Sequence, residues 1–279
     1  MEELLRVESI SYSYENDYQA LRDVSITFRQ GELVAILGSN GAGKSTFFLC
    51  CNGVLRPQSG SLFIKGREVT RSKQDISRQR QAIGLVFQDP DSQIIAGSVQ
   101  GEISFGPMNL RLPTEQVAER VDEALGLMRL ERYRDYAPQY LSGGEKKRVT
   151  IADILAMRPE MILLDEPTAS LDPENAEALE QILLDLRRQG ITIVISTHDV
   201  NFAYRVAERA VVFASGQIIA DGPAEEVFSS EPILEAAGLQ KPLLFAAWES
   251  LAACRPEASR LARPRTIEQF QESLAALIT

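Results

Sequence analysis

The octapeptide Gly38-Ser39-Asn40-Gly41-Ala42-Gly43-Lys44-Ser45 constrains this chain more than any other stretch of it. It follows directly on LVAIL (33–37), an apolar run with the length of a buried strand, and leads into residues 44–51, which read as a helix. Strand, glycine-rich loop and helix start, in that order, are the context in which G-x-x-x-x-G-K-[ST] acts as a phosphate loop. The backbone N–H groups of the loop and of the helix N-terminus point at phosphate oxygens, and the helix dipole favours the negative charge. The segment from Gly38 through Thr46 therefore reads as a nucleotide-phosphate cradle. Lys44 would reach the β- and γ-phosphates, and the Ser45 hydroxyl would ligate Mg²⁺.

A phosphate loop commits the chain around it to an α/β architecture. MILLD (161–165) and ITIVIST (191–197) are short, continuously apolar runs with a helical pattern between them, the signal of a parallel sheet with crossover helices. SLFIKG (61–66) and AIGLVF (82–87) are further strands, and residues 4–37 are strand-rich. From about residue 89 to 157 helical patterns take over, and in 114–128 Val117, Val121, Leu125 and Met128 recur at helical spacing. The expected organisation is an α/β core over residues 1–230, with a small antiparallel β part and an inserted helical subdomain at about 89–157. A mostly helical extension follows over 231–279, broken at Pro242, Pro256 and Pro264. It carries the chain's one tryptophan, Trp248, on an apolar helical face that should pack on the core or on a second copy.

MILLDEP (161–167) puts two carboxylates, Asp165 and Glu166, at the end of a strand. Carboxyl ends of parallel strands are where α/β sheets bind ligands. Alone, the pair reads equally well as a turn cap. In a chain with a phosphate loop, Asp165 becomes the second Mg²⁺ group and Glu166 a general base for the attacking water.

Composition excludes several other functions. The net charge of −10 argues against a nucleic-acid-binding chain. No apolar run approaches the roughly 20 residues that cross a bilayer, and the acidic start MEELLRVESI is unlike a signal peptide. Membrane-spanning segments would come from partners. Cys50, Cys51 and Cys254 have no metal-ligand or disulfide spacing and read as ordinary buried thiols. With one histidine, His198, the chain has no cage for a transition metal.

Leu141-Ser142-Gly143-Gly144-Glu145 narrows the class. Ser142, with Glu145 three residues on and a periodic run behind it, is a capping box for a helix start. The pentapeptide also resembles the LSGGQ signature of ABC ATPases, and both readings can hold. The other motifs of that family follow in its order: Gln88 resembles the Q-loop, Ser170-Leu171-Asp172 the D-loop, and His198 the H-loop. Tyr14 stands where the family has an aromatic on adenine, with Tyr12 the second candidate. The resemblance covers about residues 3–230.

It implies ATP and Mg²⁺ as cofactors, with Ser45, Gln88 and Asp165 around the ion. It also implies a head-to-tail dimer with a second ATPase subunit, identical or paralogous, whose Ser142 and Gly144 close on the γ-phosphate. His198 and Lys44 would stabilise the departing phosphoryl group, beside Glu166. The chain departs from LSGGQ at Glu145, so no glutamine role carries over. Gln88-Asp89-Pro90-Asp91-Ser92-Gln93 and Phe105-Gly106-Pro107-Met108-Asn109-Leu110 look like segments of energy-coupling factor importers. LSGGEKKRV and THDVNFAYRVAERAVVF look most like the cobalt-importing type, with nickel or vitamin import as alternatives. The resemblance implies a transmembrane coupling protein and a substrate-capture membrane protein as partners, and a peripheral place on the cytoplasmic face of the membrane. A soluble ABC ATPase of DNA maintenance would carry long coiled coils between phosphate loop and signature, and none is present here.

Overall fold

The computed structural model describes residues 2–15, 18–169 and 171–278 of the 279. The chain opens with β1 (Glu3–Ser13) and β2 (Gln19–Arg29), an antiparallel pair. β3 (Leu33–Leu37) is buried at every position and runs through the phosphate loop into α1 (Lys44–Asn52). β4 (Ser59–Ile64) and the short β5 (Arg67–Glu68) complete a four-stranded antiparallel sheet in the order β2-β1-β4-β5. α2 (Lys73–Ala82) leads into β6 (Ile83–Val86), again wholly buried.

A helical block follows. It comprises α3 (Val99–Asn109), α4 (Thr114–Leu127) and α5 (Gly143–Ala156), with two 3₁₀ turns between α4 and α5. The apolar positions read from the sequence, Val117, Val121, Leu125 and Met128, are all buried against this block. β7 (Met161–Asp165), α6 (Pro173–Arg188), β8 (Thr192–Thr197), α7 (Val200–Val206), β9 (Arg209–Ala214) and β10 (Gln217–Pro223) then finish a six-stranded sheet. Its order is β10-β9-β3-β8-β7-β6, with β10 antiparallel and the other five strands parallel.

The parallel strands carry no alternation because both faces are covered, which is why they read as continuous apolar runs. One face packs on α1 and the antiparallel sheet, through Phe28, Phe47, Phe48 and Phe213. The other face packs on the helical block and α6. Sheet register then gathers the motifs. Leu37 pairs with Thr197, and Asp165 pairs with Ser196, so the ends of β3, β8 and β7 come level at one edge.

After β10 come α8 (Ala224–Ser229), α9 (Glu231–Ala236), α10 (Leu243–Cys254) and α11 (Ile267–Ile278). α10 starts straight after Pro242, and Trp248 is buried edge-on to Phe270. One sequence expectation needs correction. Cys50 and Cys51 are buried in α1, but Cys254 is exposed at the end of α10, where the helix runs out of core to cover it. Burial pushes the Cys50 thiol up to about 12, which keeps it an unreactive packing group.

Candidate nucleotide site

The phosphate loop has a geometry that only its glycines allow. Gly43 caps α1 in a left-handed conformation, φ 108°, and a Cβ there would stand 2.6 Å from the Ala20 carbonyl oxygen. No side chain caps α1, so its first N–H groups are left for an anion. Lys44 is buried, and its Nζ donates to the Gly38 carbonyl at 2.7 Å and the Ser39 carbonyl at 3.3 Å. Ser45 turns outward and is exposed.

The carboxylates at the end of β7 are held by β8. Ser196 Oγ donates to Asp165 Oδ1, which keeps the buried Asp165 oriented. Glu166 is buried as well, with a positive φ of 43°, unusual for a residue with a Cβ. Its amide donates to the Ser196 carbonyl at 2.9 Å, so the bend is held by one more ladder bond. Such a conformation costs on the order of 1–3 kcal/mol and persists only where its surroundings enforce it.

Three groups converge on the Glu166 side chain. Thr197 Oγ1 donates to Oε2 at 3.2 Å, His198 Nδ1 lies 3.0 Å from Oε1, and Lys44 Nζ lies 3.6 Å from Oε1. The cavity over the loop is lined by Tyr18, Ala20, residues 40–46, Gln88 and Glu166. Ser45 hydroxyl, Asp165 carboxylate and Gln88 amide are hard oxygen donors of the kind Mg²⁺ takes, so the donor set fits that ion.

Residues from elsewhere in the sequence frame this edge. Lys147 of α5 is buried, and its Nζ donates to the carbonyls of Phe87 at 2.9 Å and Gln88 at 2.6 Å. Burial pushes its ammonium down to about 8, against the upward pull of Asp165 and Asp89. A lysine so thoroughly buried anchors the Gln88 loop to α5. Tyr18 donates to the Gly41 carbonyl at 2.9 Å and lines the cavity. Tyr14, expected on adenine, is edge-on to Tyr12 with its hydroxyl 3.1 Å from Thr46 Oγ1. The only sequence signals for these additions were a second lysine just after the signature and, past Tyr12 and Tyr14, a third tyrosine.

The signature residues lie apart from the loop cavity. Ser142 is the exposed N-cap of α5, and its capping box with Glu145 is complete. Glu145 accepts from the Ser142 amide at 2.8 Å and also from the Tyr133 hydroxyl. Burial opposes ionisation of Glu145, but those hydrogen bonds outweigh it and hold the carboxyl below the usual range. Glu145 is thus occupied inside its own helix cap. Gly144 is seated on Asn175 of α6, which Arg148 holds at 2.9 Å and Asp172 caps. Asp172 of the D-loop motif is therefore tied to the signature, while Ser170 lies outside the described residues.

The ABC transporter family model matches residues 21–169. The chain is 47% identical over 239 residues to the energy-coupling factor transporter ATP-binding protein EcfA of Methanothermobacter thermautotrophicus, covering 86% of this chain and 77% of that protein. It is 43% identical over 275 residues to the cobalt import ATP-binding protein CbiO of Rhodobacter capsulatus, covering 99% of this chain and 98% of that one. Among solved structures, cbiO1 of Clostridium perfringens matches at 37% identity with a TM-score of 0.77, over 89% of this chain and all of its own. A dimeric ATP-binding cassette in a post-hydrolysis state with ADP and Pi matches at 29% identity and a TM-score of 0.71, over 79% of this chain and 99% of that one.

Proposed function

The chain belongs to the ABC transporter ATP-binding family, and from that premise we propose that it is the ATPase subunit driving an energy-coupling factor importer for cobalt ions. The observation that carries the hydrolytic part is the position of Glu166, between Lys44 at 3.6 Å and His198 at 3.0 Å. A buried carboxylate held by Thr197 and His198 at the mouth of a phosphate loop is placed to take a proton from an attacking water.

In this reading residues 38–46 hold the triphosphate and Lys44 turns from the Gly38 carbonyl to the phosphates. Tyr14 or Tyr18 supports the base. Ser45, Asp165 and Gln88 would hold Mg²⁺, which when bound neutralises charge spread over the phosphate oxygens. His198 keeps Glu166 oriented and stabilises charge on the transferred group. Ser142 is exposed at the N-terminus of α5, and with the Gly144 amide behind it would serve the loop of a second ATPase subunit, a relation supported by the dimeric cassette among the structural relatives.

Import is supported by the names of the relatives, and cobalt by a match that extends over nearly the whole of the Rhodobacter protein. No helix among the described residues is long and apolar enough to cross a membrane, so a coupling protein and a substrate-capture protein would supply the passage. Ile95, Phe105 and Met108 are exposed in the stretch of chain that follows Gln88 and suit contact with such a partner at the cytoplasmic face. Purifying the chain with its membrane partners and following labelled cobalt, nickel and vitamins into vesicles tests this. ATP-dependent cobalt uptake is expected, whereas uptake of a vitamin alone would overturn the substrate.

A further inference from the structure

His198 stands at the junction between a sheet strand and a short helix whose N-terminus Asp199 caps by accepting from the Asn201 and Phe202 amides. The His198 side chain is 59% exposed, so packing does not fix the ring, and its position follows from the backbone on either side. On one side lies β8, inside the sheet. On the other lies α7, a helix of seven residues starting two positions later. Helices this short are marginal by themselves, and their orientation comes from what grips them.

The core grips α7 through the buried Val200, Phe202, Ala203 and Val206, and Glu180 of α6 accepts from Arg205 at 2.8 Å; the C-terminal extension adds grips at both ends of α7 and in its middle. In the first turn, Asn201 Oδ1 accepts the Leu243 amide at 2.8 Å. Leu243 opens α10, which has no side-chain cap, so Asn201 satisfies an N–H that the helix cannot. In the middle, the buried ring of Tyr204 lies edge-on to Phe245 of α10 at 5.5 Å, and to Phe228 of α8, which precedes the extension, at 5.8 Å. Its hydroxyl donates to the Pro264 carbonyl at 3.1 Å. At the far end, Arg265 donates to the carbonyl of Ala207, the C-cap residue of α7, at 2.7 Å. The link between α9 and α10 also reaches the site, for Gly238, Leu239 and Gln240 share a cavity with Ser39, Asn40 and His198.

We infer that the C-terminal extension is a positioning clamp for His198, and that Asn201 and Arg265 are its two jaws. The clamp fixes α7 at both termini and thereby sets where the imidazole stands relative to Glu166. It rests on the hydrolytic reading above and adds to it a route from the extension to the reaction. Asn201 lines the cavity with Ser39 and Asn40 but, like Arg265, makes no hydrogen bond to the nucleotide loop or to Glu166 among the described residues, so both act through His198. Loosening either jaw should slow the chemical step and leave nucleotide binding alone.

The test uses the full-length chain, with steady-state ATP hydrolysis and binding of a non-hydrolysable ATP analogue measured side by side. Asn201→Ala is expected to lower kcat on the order of tenfold, since sub-ångström misplacement of a catalytic group costs that much, with KM and analogue affinity within about twofold. Asn201→Asp keeps the acceptor oxygen and should restore most of the rate. Arg265→Ala should give the same split from the other end of α7, which keeps the test decisive if one variant fails to fold. An unaltered chain that hydrolyses ATP with Asn201→Ala and Arg265→Ala matching it overturns the clamp alone. A loss of affinity in step with kcat would make the extension a general stabiliser and overturn it too. An unaltered chain without hydrolysis overturns the reading beneath it.

Discussion

The phosphate-loop edge of the six-stranded sheet and the N-terminus of α5 carry the two halves of the proposed site, and they are built in opposite ways. At the sheet edge the charged groups are buried and interlocked: Lys44 on Gly38 and Glu166, Glu166 on Thr197 and His198, Asp165 on Ser196. At α5, Ser142 and Gly143 lie exposed with their capping needs met inside the helix. The first half is organised before any ligand arrives. The second is a finished surface that lacks something to face.

Replacing groups in each half sharpens this contrast. Glu166→Gln keeps size and shape and removes the base, so hydrolysis should fall about 10²–10⁴-fold while ATP binding persists, read by turnover and analogue binding together. An unchanged turnover would move the base elsewhere. In the outward half, Gly144→Ala places a Cβ 2.5 Å from the Asn175 side chain. It should impair hydrolysis by displacing the signature from Asp172 and α6, with nucleotide affinity kept because no loop contact changes.

The smaller effects concern stability. Asp153 is pushed up to about 7 by burial and by the neighbouring Glu102 carboxylate, with Gln93 opposing. Its folded value lies above its ordinary 3.8, so the folded state holds the extra proton. That contribution is complete below about pH 4 and is lost as pH rises through about 7. Melting temperature followed from pH 4 to 8 should show this loss in the unaltered chain, and Asp153→Asn should flatten it. Glu145→Ala opens one side of the capping box and should cost about 1 kcal/mol by denaturant unfolding.

The sequence made the inward half legible because its signals are local. A strand, a glycine loop and a helix start sit within fourteen residues of one another, and Asp165, Glu166 and His198 each end an apolar run. The cap at Ser142 was readable for the same reason, through Glu145 three positions on. The helical pattern in 114–128 survived as α4 because its apolar spacing matched its burial. What was not legible depends on side chains meeting across the fold. Lys147 looked like any surface lysine until α5 buried it under the Gln88 loop. Asn175 and Tyr18 have no motif, and Asn201 and Arg265 are 64 positions apart before α7 and the extension bring them to one helix. α2, β9 and β10 gave no periodic signal strong enough to read.

The central claim is that one nucleotide site is shared between two chains, and mixing two disabled chains tests it most directly. Lys44→Ala disables the inward half, and Ser142→Arg the outward half. Each variant alone should hydrolyse little ATP. Mixed in equal amounts, they form pairs in which the intact loop of one faces the intact signature of the other, and hydrolysis should return to a substantial fraction of the unaltered rate. If the mixture stays as inactive as its parts while the chains still pair, or if Ser142→Arg alone hydrolyses at the full rate, the shared site is wrong.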